Sequence, residues 1–227
     1  MARGVYARTF RRLFRFLIAS VILAILIIFA WRFAISGTPK KLKGLSPNDV
    51  LKETYLDLNG DIRPFTQKHI TVTRADNCYG YFSVTQVIFI PEAKQVQVVF
   101  RYNTRTLEYL TKDYELAEKP ERDADLYDLT LVRTSFTTED KDEEKVQENR
   151  IFPTSVEKYQ KNNYMYRKVI FDSVDIDEDT AGIFLDIYYV QDVHYDRDAY
   201  GTLALYDYTT RCDPYSMSRK EKSLLQS

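Results

Sequence analysis

Between Phe16 and Trp31 the chain carries no charged residue, and eleven of those sixteen positions are Leu, Ile, Val or Phe. Twenty residues of helix rising ~1.5 Å each cover about 30 Å, the thickness of a hydrocarbon core. Side chains of this kind favour insertion by roughly 0.3 to 0.6 kcal/mol each, while Arg32, near one end, costs at most about 3 kcal/mol and can snorkel. Residues 16–35 are therefore expected to form one transmembrane helix that fixes the chain to a lipid bilayer. A helix buried in a soluble core carries a polar face, and none can be drawn from Leu17 to Ala30. A cleaved signal peptide has a shorter apolar run that ends in small residues. This one ends in Trp31, Arg32 and Phe33, so an uncleaved signal-anchor is expected.

Basic residues near the span set its direction. Arg3, Arg8, Arg11, Arg12 and Arg15 precede it, and Arg32, Lys40, Lys41 and Lys43 follow it. With the amino terminus added, the excess lies before the span. Residues 1–15 are accordingly expected to be a basic cytoplasmic terminus of a single-pass cell-membrane protein, with the carboxy-terminal part outside the cytoplasm. Residues 36–45, SGTPKKLKGL, read as a juxtamembrane linker because Gly, Pro and Lys oppose compact structure.

The remainder, about 180 of the 227 residues, is enough for one ordinary domain, expected over 46–213 with a flexible tail at 214–227. Residues 1–48 hold nine basic side chains and no acid; residues 49–227 hold 23 basic and 33 acidic, a net of −10. Such a domain repels phosphate backbones and anionic lipid, which excludes nucleic acid as a partner and predicts a domain held off the membrane surface. The two cysteines, Cys78 and Cys212, both fall in the part assigned outside, where a lone pair is most simply one disulfide. No C-x-x-C spacing suggests zinc.

Ser46 and Pro47, with Asp49 three residues after Ser46 and an apolar face at Val50, Leu51, Thr54, Tyr55 and Leu58, predict a short helix over 47–57. After it the chain reads as β. Residues 82–90 are dense in Val, Ile, Thr and Phe, residues 91–95 make a turn, and Val96, Val98, Phe100 and Tyr102 alternate, so a hairpin is predicted. Further strands are expected at 69–73, 126–136, 164–174, 183–190 and 201–208, with a second short helix over 106–117. Seven strands and little helix predict a mainly β fold: one amino-terminal transmembrane helix followed by an antiparallel β-sandwich of immunoglobulin-like architecture. The long intervals 103–125 and 137–162 are expected as insertions, with 137–145, TTEDKDEEK, as a mobile loop tip.

Few constellations carry chemistry. In 172–179, DSVDIDED, Asp175, Asp177 and Asp179 stand at alternate positions, as the first ligands of a calcium loop do, with Asp186 at the twelfth place. The sixth place, which needs Gly, is Thr180, and Asp186 falls in a predicted strand facing solvent, so a solvated acidic hairpin loop is expected instead. Asp192, His194, Asp196 and Asp198 alternate around a histidine and in extended chain line one side, where they could hold a metal or polarise a water. His69 has no evident partner, and Asp57, Asn59, Gly60 and Asp61 read as the turn that stops the first helix. Neither G-x-S-x-G nor S-x-x-K occurs, and no catalytic residue, metal ligand or cofactor site is assigned.

Eighteen tyrosines, among them the pairs Tyr188, Tyr189 and Tyr206, Tyr208, suit a contact surface as well as half-buried strands. The expectation is a membrane-anchored, non-enzymatic interaction module, an envelope or cell-surface assembly component with a protein partner. The alternative is an extracytoplasmic ligand-binding or metal-assisted hydrolytic domain built on the acids around His194.

Overall fold

Ala2–Ser36 forms one helix, α1, and the window Leu13–Trp31 within it is long and apolar enough to cross a membrane. Its side chains are exposed throughout that window. The one hydroxyl there folds back: Ser20 Oγ donates to the Phe16 carbonyl at 2.9 Å, so the helix surface keeps no free donor at that turn. In this computed structural model the residues described are 2–36, 38–63, 70–72, 78–79, 82–113, 118–119, 121, 126–137, 145–177, 179–189, 201–207, 213–214 and 217–227. The chain divides into two units, residues 1–38 and residues 39–227.

The second unit is mainly β, with two antiparallel sheets. Eleven strands occur among the described residues: β1 (Ile70–Val72), β2 (Cys78–Tyr79), β3 (Phe82–Ile90), β4 (Gln95–Asn103), β5 (Tyr127–Thr137), β6 (Lys145–Ile151), β7 (Ser155–Lys161), β8 (Tyr164–Phe171), β9 (Thr180–Tyr189), β10 (Gly201–Asp207) and β11 (Asp213–Pro214). The larger sheet runs β11-β1-β3-β4-β8-β7 with β2 beside β3, and the smaller runs β10-β9-β5-β6. The predicted hairpin is β3 and β4, in register Val87 opposite Val98, closed by a 3-10 turn at Pro91–Ala93 and by Lys94 at φ 47°. Phe89, Val96, Val98 and Phe100 of the larger sheet and Leu131, Ile183, Leu185 and Ile187 of the smaller share one core. Period-two alternation puts these side chains on one face of each strand, and the two faces bury each other.

The larger sheet is covered on its outer face too. Leu45, Leu51, Tyr55, Ile88, Ile90 and Leu225 form a second cluster there, and Leu42, Val99 and Tyr166 a third. The cover comes from both ends of the unit: residues 39–48, helix α2 (Asp49–Tyr55) and a carboxy-terminal helix (Arg219–Gln226). Residues 39–45 are thus not an open linker, because Leu42, Gly44 and Leu45 are buried. The tail 214–227 is likewise not free: it begins in β11 and ends in a helix with a Ser218 and Glu221 capping box and a buried Leu225. The first helix starts later than expected, capped by Asn48, whose side chain accepts from Leu51 N–H at 3.1 Å. Ser46 cannot cap it. Its N–H donates to Gln97 Oε1 at 2.9 Å and its carbonyl accepts from Gln97 Nε2 at 2.9 Å, which holds Ser46 extended along the sheet.

Two further expectations change. Within the interval 137–162, residues 145–151 and 155–161 are strands: β6 pairs with β5, the chain crosses at 152–154, and β7 pairs with β8, while 138–144 of the expected loop tip lie outside the described residues. Its pattern was hidden because both are edge strands rich in Lys, Glu and Gln, and Glu148, Asn149 and Arg150 of β6 are exposed in succession. Residues 172–179 are a connection between sheets rather than a hairpin loop, since β8 and β9 belong to different sheets. The second short helix is a 3-10 turn at Thr104–Thr106 followed by helix α3 (Leu107–Asp113); residues 114–117 lie outside the described residues.

Candidate functional site

Two of the three acids singled out in 172–179 are engaged by the protein itself, while the third, Asp179, is exposed. Asp175 meets Lys94 Nζ at 2.6 Å, and Asp177 Oδ1 accepts from Arg133 Nη2 at 2.6 Å and from Thr180 Oγ1 at 2.8 Å. Partial burial pushes the Asp177 carboxyl up, but the bonds from Thr180 and Arg133 outweigh it and hold the group below the usual carboxylate range. Thr180, which stands where a calcium loop needs Gly, is buried at the start of β9. Asp186, expected to face solvent, is 9% exposed and accepts from Thr202 Oγ1 at 2.6 Å. Among the described residues no group of three His, Cys, Asp or Glu is placed to hold a metal. Asp57 makes the predicted turn, its Oδ1 accepting from Asn59 and Asp61 N–H at 2.8 Å each, around Gly60 at φ 80°.

Asp192, His194, Asp196 and Asp198 lie outside the described residues, as do His69, Tyr208 and Cys212; of Cys78 only its place in β2 is described. The described tyrosines serve mostly as interior. Tyr55, Tyr102, Tyr127, Tyr166 and Tyr188 are buried, and Tyr206 turns its ring edge to Phe89 at 5.8 Å.

A cavity of about 270 Å³ lies between the sheets. It has a topological cause: β6 ends at Ile151 opposite Leu131, so among the described residues no strand pairs with Tyr127 to Thr130 of β5 on that side, and the chain leaves there toward β7. The walls are Phe100, Tyr102 and Val169 of the larger sheet and Leu126, Tyr127 and Leu129 from the smaller, with Pro153 and Val156 beside them. The aromatic wall is fixed by its own contacts: the Tyr102 and Tyr127 rings meet edge to face at 5.4 Å, and Phe82 stacks on Phe100 at 4.5 Å.

Arg167 enters this apolar space from β8. Met165, Arg167, Val169 and Phe171 share the inner face of the strand, and the arginine is 2% exposed. Its Nη1 donates to the Tyr166 carbonyl and its Nη2 to Tyr102 Oη, both at 3.3 Å, and its guanidinium lies 5.8 Å from the Tyr102 ring centre. Asp128 lines the same cavity.

The next residue mirrors this on the other face. Lys168 is 1% exposed and its Nζ donates to the Gly44 carbonyl. Burial pushes its ammonium down to about 8, against the upward pull of Glu157 and Glu221. Sequence reasoning read 164–174 as a strand but passed over both cations. The signal was present: in MYRKVIF apolar residues flank Arg167 and Lys168 on both faces, leaving no wet face for either.

No protein-family model matches the chain, and neither a curated protein nor a solved structure matches it.

Proposed function

We propose that residues 39–227 are a non-catalytic binding module held at a membrane by residues 16–35, and that its cavity takes a small, mostly apolar ligand with one polar end. The observation that carries this is the cavity itself, a mostly aromatic and aliphatic space between the sheets that opens where β6 ends and whose charged lining residues are Asp128 and Arg167. Ligand sites combine a mostly apolar lining with one or two directional polar groups. A protein partner bound through tyrosines draws less support, since most described tyrosines are interior. The amino terminus is read as cytoplasmic and the module as extracytoplasmic, from the five basic residues before the span against four after it. A Cys78 to Cys212 disulfide is part of that reading. The two-layer arrangement supports a sandwich, immunoglobulin-like in layers, while the strand order is its own.

The test uses the full chain in detergent or nanodiscs. Thermal shifts are measured with apolar carboxylic acids, amides and hydrocarbons of matched size. Probes with a polar end should raise the melting temperature more than the hydrocarbons, and Leu129→Trp, which fills the cavity, and Val156→Trp, beside its opening, should remove the effect. If no probe shifts the wild type while either filled variant matches its stability, the cavity is a packing void and the ligand reading fails.

A further inference from the structure

We infer that a cleft lined by four lysines at the start of the folded unit docks on the phosphate headgroups of anionic phospholipid. Lys40, Lys41, Lys43 and Lys220 line one cleft of about 340 Å³, together with Glu221 and Leu224. All four lysines are exposed, and among the described residues none forms an ion pair; Lys41 lies 5.8 Å from the Tyr159 ring centre. The carboxylate in the cleft is already committed. Glu221 Oε1 accepts from Leu45 N–H at 2.7 Å and Oε2 from Ser218 N–H at 2.7 Å, so it is held to the backbone at both oxygens.

Residues 39–227 carry 26 basic and 33 acidic side chains, a net of −7, so a scattered lysine meets a carboxylate more readily than another lysine. Four unpaired ammonium groups in one concavity repel one another, and an anion in the cleft removes that repulsion. The fold gathers them from the two ends of the unit: residues 40–43 cross the outer face of the larger sheet and Lys220 stands in the first turn of the carboxy-terminal helix. Leu224, 42% exposed, adds an apolar edge.

The source of the anion follows from the chain, and this step rests on residues 16–35 spanning a membrane. Lys40 comes five residues after Ile35, so the backbone keeps it within about 18 Å of the bilayer. Each lysine near an anionic surface contributes roughly fivefold to residence there. A unit of net negative charge is repelled by such a surface, and the orientation that presents this cleft offsets the repulsion. The expectation of a domain held off the membrane is thereby refined: the cleft selects which face approaches.

The experiment is hydrogen exchange on the full chain in nanodiscs of phosphatidylcholine alone and of phosphatidylcholine with phosphatidylglycerol. Amides of 40–46 and 218–224 should exchange severalfold more slowly with the anionic lipid, and the protection should vanish in ~1 M salt, where the Debye length is about 3 Å. Lys40→Gln, Lys41→Gln, Lys43→Gln and Lys220→Gln combined should abolish it without changing the melting temperature in neutral discs, whereas Arg at the same four positions should retain it. Equal exchange in both lipids would overturn the inference. So would equal protection from inorganic phosphate in neutral discs, which would make the cleft a soluble-anion site. A chain that fails to co-float with neutral phosphatidylcholine vesicles would overturn the span itself, a result visible before any anionic lipid is added.

Discussion

Lys168 is the residue on which the outer face of the larger sheet turns. It sits beside Gln97, 0% exposed, whose Nε2 also donates to Gln95 Oε1 at 2.6 Å, and Gln95 Nε2 reaches Asp172 Oδ1 at 2.6 Å. These amides and the lysine ammonium serve the backbone of residues 44–46, which otherwise has no ladder to join. The ammonium is the costly member, with burial lowering it from 10.5 to about 8. Between those two pH values the unfolded chain still holds a proton that the folded chain has released. Stability therefore rises with pH across the window and is flat on either side of it, by up to about 3 kcal/mol for this group alone. Denaturant unfolding at pH 7.5 and pH 10 should show that rise in the wild type, with a smaller one in Lys168→Met. An equal rise in both would assign it to other groups.

Among the elements, the carboxy-terminal helix has the least support from its own sequence. Eight residues are too few to be helical alone in water. Its capping box satisfies one end, and the Glu221 carboxylate that completes the box also takes Leu45 N–H, so one side chain joins the two ends of the unit. Leu225, 3% exposed, is its anchor in the cluster with Leu45, Leu51 and Ile90. Leu225→Ala should cost about 2–3 kcal/mol by denaturant unfolding, the low end of the range for a buried Leu because an outer layer can partly close over the gap. It should also raise exchange at 44–46. No loss of stability would mean that the helix does not anchor this face.

For the whole molecule, the arrangement of one apolar helix before a β unit makes direction the deciding question. With the amino terminus in the cytoplasm, protease added to intact cells should remove the part after residue 45, and cleavage only after permeabilisation would reverse the topology. The same preparation, run with and without reductant, reports on the Cys78 and Cys212 pair, because an oxidised pair keeps fragments cut between them joined.

The sequence by itself determined the local parts. Composition made residues 16–35 an apolar helix, and alternation set β3 and β4 nearly to the residue, because both signals depend only on near neighbours in the chain. Asp177 shows the limit: its spacing from Asp175 and Asp179 resembled a ligand set, while its partner is Arg133, forty-four residues away. The cover of 39–48 over the sheet, the burial of Arg167 and Lys168 on opposite faces, and the cavity where β6 ends were decided only by tertiary structure. Each depends on which strands become neighbours and where one stops short. Pairing of that kind is selected by the joint burial of segments as far apart as Leu45 and Glu221, whose separation of 176 residues leaves no local pattern to read.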